Sequence, residues 1–161
     1  MAAGPADSRD MTEPNLLNPP EFPDCFVCGD ANPEGFGLRV YRDGDEAVAS
    51  YTPRMAHQGY PERFHGGLVA LLVDEMLVYA GAPHGVWGMT ARVGYRLRRP
   101  IPLDRELSLR GRLTKRTARG FRATVEIRLP DGTLAAEGEG TCVIADPASL
   151  AGLERPGGDD T

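Results

Sequence analysis

The 161-residue chain has few cysteines, few aromatic residues and no long hydrophobic run. Its three cysteines, an odd number, do not make a disulfide framework, and residues 1–24 contain no apolar stretch of the secretory type. The longest apolar run, residues 67–73, is far too short to span a bilayer. These absences favour a soluble protein of the reducing cytoplasm, with no membrane as a partner.

Lysine is almost absent as well, because 17 of the 18 basic residues are arginine. The net charge of −5 argues against nucleic acid as the main partner. Twelve of the 18 basic residues lie between Arg92 and Arg128, and arginine clusters bind phosphate groups well. This region is therefore compatible with a phosphorylated ligand, although strand residues that alternate outward into water explain each single arginine equally well.

Proline, glycine and small polar residues concentrate at the two ends of the chain. Such a composition buries too little apolar surface to offset the entropy lost on ordering. We therefore predict a disordered lead over residues 1–20, a single domain over 21–145 and a flexible tail over 146–161. The middle region is long enough to build one hydrophobic core.

The middle region contains patterns for six strands and one helix. Two β-prone runs, 36–42 and 46–52, flank Asp43-Gly44, which favours a hairpin turn. An apolar helix follows over 66–81. Four further runs alternate in polarity, at 90–98, 106–115, 121–129 and 134–144. This order predicts an α+β fold in which a curved antiparallel sheet, with its last four strands in a meander, wraps around one long central helix.

The predicted helix is apolar on every side except for its two acids, so we expect it inside the protein. On a helical wheel, Asp74 lies among glycine, alanine, leucine and valine residues, with no basic partner within one turn. An ionised acid in such surroundings is costly unless it is partnered. We therefore interpret Asp74 as a catalytic residue. The alternative is a structural acid that bonds a backbone group or lies at a helix edge.

The start of the helix offers a second reactive group. Gly66 and Gly67 leave backbone N–H groups free there, and these donors and the positive end of the helix dipole suit a developing oxyanion. Asp74 lies eight residues after Gly66, which at ~1.5 Å per residue is about 12 Å along the same axis. Since one carbonyl group cannot reach both, the sequence predicts a dimer in which the amide and the acid come from different subunits.

The spacing of these residues is similar to that of a known family. In His65-Gly66-Gly67 the histidine precedes the acid by nine residues, and Thr90 follows the acid by sixteen. This pattern resembles the hotdog-fold acyl-CoA thioesterases, specifically the PaaI-like branch of the 4-hydroxybenzoyl-CoA thioesterase superfamily. The similarity covers about residues 25–145. It includes Cys25-Phe26-Val27-Cys28-Gly29, Gln58-Gly59-Tyr60, Gly88-Met89-Thr90-Ala91 and Arg99-Pro100-Ile101-Pro102.

The resemblance implies hydrolysis of an acyl-CoA thioester to a free acid and coenzyme A. Asp74 would act as nucleophile or as general base for water, and the Gly66 amide would hold the thioester oxygen. Gly67 would permit close approach of the acyl group, and Thr90 would position the attacking water or the acid. His65 would orient the thioester, although capping of the helix explains this residue as well.

The family also implies a homodimer or homotetramer that needs no cofactor, with coenzyme A lying between subunits near arginine side chains. Two further residues are assigned to substrate binding. Related enzymes often carry asparagine in the loop before His-Gly-Gly, where this chain has Gln58, whose amide has a longer reach. Glu75, one step round the helix from Asp74, occupies a rim or interface position.

Cys25 and Cys28 have the C-x-x-C spacing that is typical of zinc or redox sites. No second cysteine pair or convincing histidine pair accompanies them, so the sequence predicts no metal site. His57 and His84 lie in turn-rich segments and are predicted at the surface. Cys142 falls on the inward side of the last strand, where a small core residue fits.

Two other activities on the same fold are compatible with these residues. One is a non-catalytic hotdog module that binds an acyl-CoA or an acyl carrier protein. The other is a lyase such as a hydratase. Three results distinguish these activities. A thioesterase turns over acyl-CoA thioesters, a binding module binds them tightly without cleavage, and a lyase consumes enoyl-CoA.

Overall fold

The computed structural model describes residues 13–152, which form a six-stranded sheet around a long helix. The strands are β1 (Val40–Asp43), β2 (Glu46–Tyr51), β3 (Gly88–Leu97), β4 (Leu107–Arg116), β5 (Gly120–Arg128) and β6 (Leu134–Ile144). The helices are α1 (Gly66–Tyr79) and the short α2 (Pro147–Ala151), and 3-10 turns lie at Met55–His57 and Ala82–His84. The predicted α+β fold with one long central helix is confirmed, although the first strand begins at Val40 rather than at residue 36.

The strand order corrects one part of the predicted topology. The sheet runs β1-β2-β4-β5-β6-β3, and all neighbouring strands are antiparallel. The prediction of a four-strand meander is wrong for β3, which pairs with β6 and lies at the sheet edge. The connection over 98–106 is too long for a tight turn. Its buried Ile101 accepts a hydrogen bond from the Phe64 N–H at 2.8 Å, which draws the connection to the loop before α1.

The helix α1 packs across β3, β4, β5 and β6, and its inner side chains fill the core. Its buried residues are Val69, Leu72, Val73, Met76, Leu77 and Tyr79. Each large apolar side chain removed from water contributes about 1.5–3 kcal/mol. Glycines of the sheet allow the helix to come close. A Cβ at Gly111 would lie 2.6 Å from the Met76 carbonyl oxygen, and one at Gly138 would lie 2.2 Å from Val73 Cγ1.

The segment Gly66–His84 has the length and composition of a membrane span, with a mean hydropathy of 1.3. The uninterrupted apolar run over residues 67–73 is therefore only part of a longer apolar segment, which Asp74 and Glu75 interrupt. Half of the span-length window is buried inside the protein. A helix at the centre of a wrapped sheet has this composition because it is enclosed by other apolar groups.

Four ring side chains hold the loop that leads into α1. Phe36 stacks on Tyr51 with ring centroids 4.8 Å apart, and the Tyr51 hydroxyl lies 2.8 Å from His57 Nδ1. The fourth ring, Phe64, packs against both Tyr51 and His57. His57 is only 6% exposed, so its predicted surface position is wrong. The 3-10 turn directs the imidazole among the other rings, whereas His84 is exposed as predicted.

Part of the predicted disordered lead is attached to the sheet. The Leu17 N–H donates to the Val40 carbonyl at 2.8 Å, and the Asn18 side chain accepts from the Val40 N–H at 2.8 Å. These bonds satisfy backbone groups at the start of β1, so the described part of the lead is ordered. The remainder of the lead, residues 1–12, and residues 153–161 of the predicted tail lie outside the described residues.

Burial lowers the pKa of His57 below its ordinary value, and the charge of Arg54 lowers it further. Because the unfolded chain protonates this ring before the folded protein does, the free energy of unfolding falls as the pH drops below about 6.5. We expect His57→Asn to lose less stability than the wild type between about pH 7 and pH 5. Urea unfolding across this range measures both slopes. The variant His84→Asn, which removes an exposed histidine, is measured alongside, and equal slopes for wild type and His57→Asn would contradict the interpretation.

Candidate active site

Asp74 lies on the side of α1 that the sheet leaves partly uncovered. The helix turns its buried residues to the sheet, whereas Ala70, Leu71 and Asp74 are only half-buried. Within residues 13–152, the Asp74 carboxylate forms no hydrogen bond and no ion pair. The acid therefore has no structural partner in this part of the chain.

Thr90 and Asp74 both influence the Cys142 thiol. Thr90 on β3 lies opposite Cys142 on β6, and its buried hydroxyl has no hydrogen-bond partner of normal geometry among the described residues. Burial raises the pKa of Cys142, the adjacent Thr90 hydroxyl lowers it, and the charge of Asp74 raises it. The Asp74 carboxylate is thus near enough for its charge to act on the thiol that lies opposite Thr90. The strand pattern placed Cys142 in the core but did not show these neighbours.

His65 caps the N-terminus of α1. Its Nδ1 accepts a hydrogen bond from the Gly67 N–H at 3.0 Å. Its carbonyl oxygen accepts from the N–H groups of Leu68 at 2.9 Å and Val69 at 3.1 Å. Because Nδ1 accepts, the neutral imidazole carries its proton on Nε2, which can donate to another group. The capping interpretation of His65 is confirmed, and it still leaves one ring N–H for a ligand.

The backbone donors at the helix start are fewer than the sequence indicates. The cap uses the Gly67 N–H, whereas the Gly66 N–H has no hydrogen-bond partner within the described part of the chain. A Cβ at Gly66 would lie 2.9 Å from Leu97 Cδ1, so the end of β3 packs against this turn. One free N–H at the positive end of a helix dipole can stabilise one oxyanion.

Gln58 stabilises the loop before the helix. Its side-chain oxygen accepts a hydrogen bond from the Glu62 N–H at 2.8 Å. Glu62 has a φ of 61°, in the left-handed region that non-glycine residues seldom adopt, so this bond holds a strained turn. The Gln58 amide therefore has a structural role, and only its nitrogen is left for the predicted contact with substrate.

Glu75 lies with Cys25 and Cys28, one step round the helix from Asp74. The potential ligand atoms of these three side chains all lie within 4.8 Å of one another. Burial raises the pKa of Glu75 to about 7, and a hydrogen bond with Cys28 offsets part of the rise. A hydrogen bond with Cys28 also lowers the pKa of Cys25 to about 5. Local spacing does not show this partner of the cysteine pair, because Glu75 is far away in sequence.

The strand β3 presents an uncovered apolar row at the edge of the sheet. Val93, Tyr95 and Leu97 share one face of β3 and are 41%, 51% and 46% exposed. The strand pairs with β6 on one side, and no other described strand pairs with its outer edge. The alternating pattern predicts an inward apolar face, yet the single chain leaves this row open to water. A long apolar strand edge is a surface for association with another chain.

The arginine-rich region follows the outer face of the sheet, away from α1. Arg110 and Arg112 both pair with Glu46 across neighbouring strands, so their position is explained by sheet electrostatics. An open groove of about 380 Å³ on the same face is lined in part by Arg92 and Arg122. These two side chains are the arginines of that groove that a phosphate group can approach.

No protein-family model matches the chain. The chain is 29% identical over 125 residues to acyl-coenzyme A thioesterase THEM4 of Bos taurus, and the match covers 76% of this chain and 52% of the relative. A solved thioesterase superfamily protein has a TM-score of 0.70 and 32% identity, with 74% of this chain and 62% of that chain covered. The PaaI protein of the E. coli phenylacetic acid degradation operon has a TM-score of 0.63 and 18% identity, with 69% and 81% covered. The chain spans about half the length of the curated relative and shares the fold of both solved structures.

Proposed function

Because this chain belongs to the hotdog-fold thioesterase superfamily, we propose that it hydrolyses an acyl-coenzyme A thioester to a free acid and coenzyme A, as a PaaI-like enzyme. The observation that supports this most is that, within residues 13–152, neither the Asp74 carboxylate nor the buried Thr90 hydroxyl has a hydrogen-bond partner of normal geometry. A buried polar atom without a bond costs free energy, so the Thr90 hydroxyl needs a ligand or water to bond. A thioester and the water that hydrolyses it supply such partners.

Asp74 is the reacting group of this proposal. As general base it takes a proton from water, whose oxygen then bonds to the thioester carbon. As nucleophile it bonds to that carbon itself, and water cleaves the resulting anhydride. In either case the carbon–sulfur bond breaks, the sulfur of coenzyme A leaves as a thiolate and takes up the proton that the water releases, and Asp74 returns to its carboxylate form. Thr90 positions the water or the acid, because its hydroxyl can both donate and accept.

The helix N-terminus stabilises the charge that develops on the thioester oxygen. The Gly66 N–H is the donor, since the Gly67 N–H is already bonded to His65. The His65 Nε2–H orients the thioester from the adjacent position. Gly67 lets the acyl group come close to the backbone, and a Cβ there would lie 3.1 Å from His65 Nδ1, so glycine also leaves the capping imidazole in place. This assigns the cap of α1 to both folding and catalysis.

The active unit is proposed to be a homodimer, alone or within a homotetramer. Gly66 and Asp74 stand about 12 Å apart along one helix axis, so one thioester cannot meet both groups of the same chain. The open edge of β3 and the half-buried side of α1 offer adjacent surfaces to a second copy. If two copies join their β3 edges in antiparallel fashion, their helices also run antiparallel, and Gly66 of each chain approaches the acid of the other.

The residues proposed to bind substrate are those whose polar atoms are not already used inside the chain. The Gln58 amide nitrogen and Gly67 remain proposed substrate contacts. Arg92 and Arg122 are the candidates for binding the phosphates of coenzyme A. Glu75 is directed at Cys25 and Cys28 and is set aside from substrate binding.

Replacement of Asp74 by asparagine tests the proposed chemistry. We expect Asp74→Asn to reduce kcat for acyl-CoA hydrolysis by about 10²–10⁴-fold, because the amide neither takes a proton nor attacks carbon. Thiol release from a panel of acyl-CoA esters measures the rate, and thermal unfolding checks the fold. The control Asp45→Asn alters an exposed aspartate and keeps wild-type activity. Full activity in Asp74→Asn would exclude the proposed role.

Replacement of Gly66 by proline tests the amide donor. Proline removes the N–H at the first helical position, where it is tolerated, and the extended His65 backbone (φ −62°, ψ 128°) suits a following proline. The matched control Gly66→Ala also adds a Cβ near Leu97 but keeps the donor. We expect Gly66→Pro to have a kcat about 10²–10³-fold below that of Gly66→Ala, at similar thermal stability. Equal rates in the two variants would show that this N–H does not bind the oxyanion.

A further inference from the structure

Three potential metal ligands from distant parts of the chain converge beside α1. Cys25 and Cys28 lie in the segment before β1, and Glu75 lies in the middle of the helix. Their two sulfur atoms and a carboxylate oxygen all lie within 4.8 Å of one another. The sequence alone gives the cysteine pair no third ligand, and the fold supplies one.

The turn that carries the two cysteines is held in one shape. The Gly29 N–H donates to the Cys25 carbonyl at 3.0 Å, and the Ala31 N–H donates to the Pro23 carbonyl at 2.9 Å. A Cβ at Gly29 would lie 2.4 Å from the Pro23 carbonyl oxygen, so only glycine fits there without a backbone shift. A preformed turn lowers the entropic cost of binding a ligand between its side chains.

The cluster contains acidic groups without a cation. Within the described range, Glu75 forms no ion pair, and its ionisable neighbours Cys25, Cys28 and Asp74 are all acidic groups. The hydroxyl of Tyr79, one turn further along α1, lies beside Cys28 and makes no hydrogen bond of normal geometry with the described residues. A half-buried carboxylate beside two thiols is stabilised by a bound cation, which neutralises its charge.

We propose that Cys25, Cys28 and Glu75 form a zinc site that fastens the segment before β1 to the central helix. Two sulfur ligands select zinc over magnesium or calcium, which prefer oxygen alone. The three ligand atoms lie within 4.8 Å of one another, and zinc bonds to sulfur at about 2.3 Å and to oxygen at about 2.0–2.2 Å. The fourth position is left to water or to the Tyr79 hydroxyl. This site is separate from thioester hydrolysis, although it anchors the helix that carries Asp74.

Cobalt is the probe for this proposal, because Co²⁺ takes zinc positions and absorbs visible light when thiolates bind it. The full chain is reduced, freed of metal and titrated with Co²⁺ and then with Zn²⁺. We expect one equivalent of Co²⁺ per chain to give a thiolate-to-cobalt band, and Zn²⁺ to abolish it. One equivalent of Zn²⁺ also raises the unfolding temperature of the wild type. A reduced wild-type chain that gives no band and no rise would overturn the proposal.

Variants identify the ligands. Cys25→Ser and Cys28→Ser lose the band and the zinc-dependent rise in unfolding temperature, and Glu75→Gln weakens binding by more than about tenfold. The control Cys142→Ala retains the cysteine pair and binds like the wild type. If the serine variants do not fold, the test uses the wild type instead. Zinc is then expected to protect two of its three thiols from a thiol reagent. A band that persists without both cysteines, or a Cys25–Cys28 disulfide formed with oxidised glutathione in a chain that binds no metal, would contradict the zinc site.

Discussion

The rise of an α-helix sets the constraint on which the proposed chemistry depends. Within the described residues, the helix α1 carries a backbone donor without a partner at Gly66 and an acid without a partner at Asp74, and its hydrogen bonds fix them about 12 Å apart. No side-chain rotation closes that gap. The fold of one chain therefore supplies both kinds of group in two separate places, and in the proposed dimer two antiparallel helices would join them into two complete sites.

The packing of α1 leaves one surface of the helix available to a second chain. Glycines such as Gly111 and Gly138 let one side of the helix come close to the sheet, which buries that side fully. The opposite side, with Ala70, Leu71 and Asp74, stays half-buried next to the apolar row of β3. In the proposed dimer, association of two chains would cover this apolar surface and remove water from the acid, so dimer formation and the assembly of the site would be one event.

Local patterns predicted the elements of this fold well and their partners less well. Polarity alternation located the strands, and the lack of a polar face located α1, because both depend on neighbouring residues alone. The pairing of β3 with β6 depends on the path of residues 98–106, which has no periodic signal. The cap of His65 on Gly67 is local and was among the interpretations of the sequence. The burial of His57 among the rings of Phe36, Tyr51 and Phe64 and the approach of Glu75 to the cysteines depend on contacts between separate segments, which spacing does not encode.

Subunit complementation distinguishes a site shared between two chains from a site within one chain. Chains with Asp74→Asn and chains with Gly66→Pro are each inactive as homodimers if both groups are needed. When the two are mixed under conditions that exchange subunits, half of the dimers are mixed and each contains one intact pair, so we expect about a quarter of wild-type activity. If mixing restores no activity while subunit exchange is demonstrated, the amide and the acid do not come from different chains, and the proposed dimeric site is wrong.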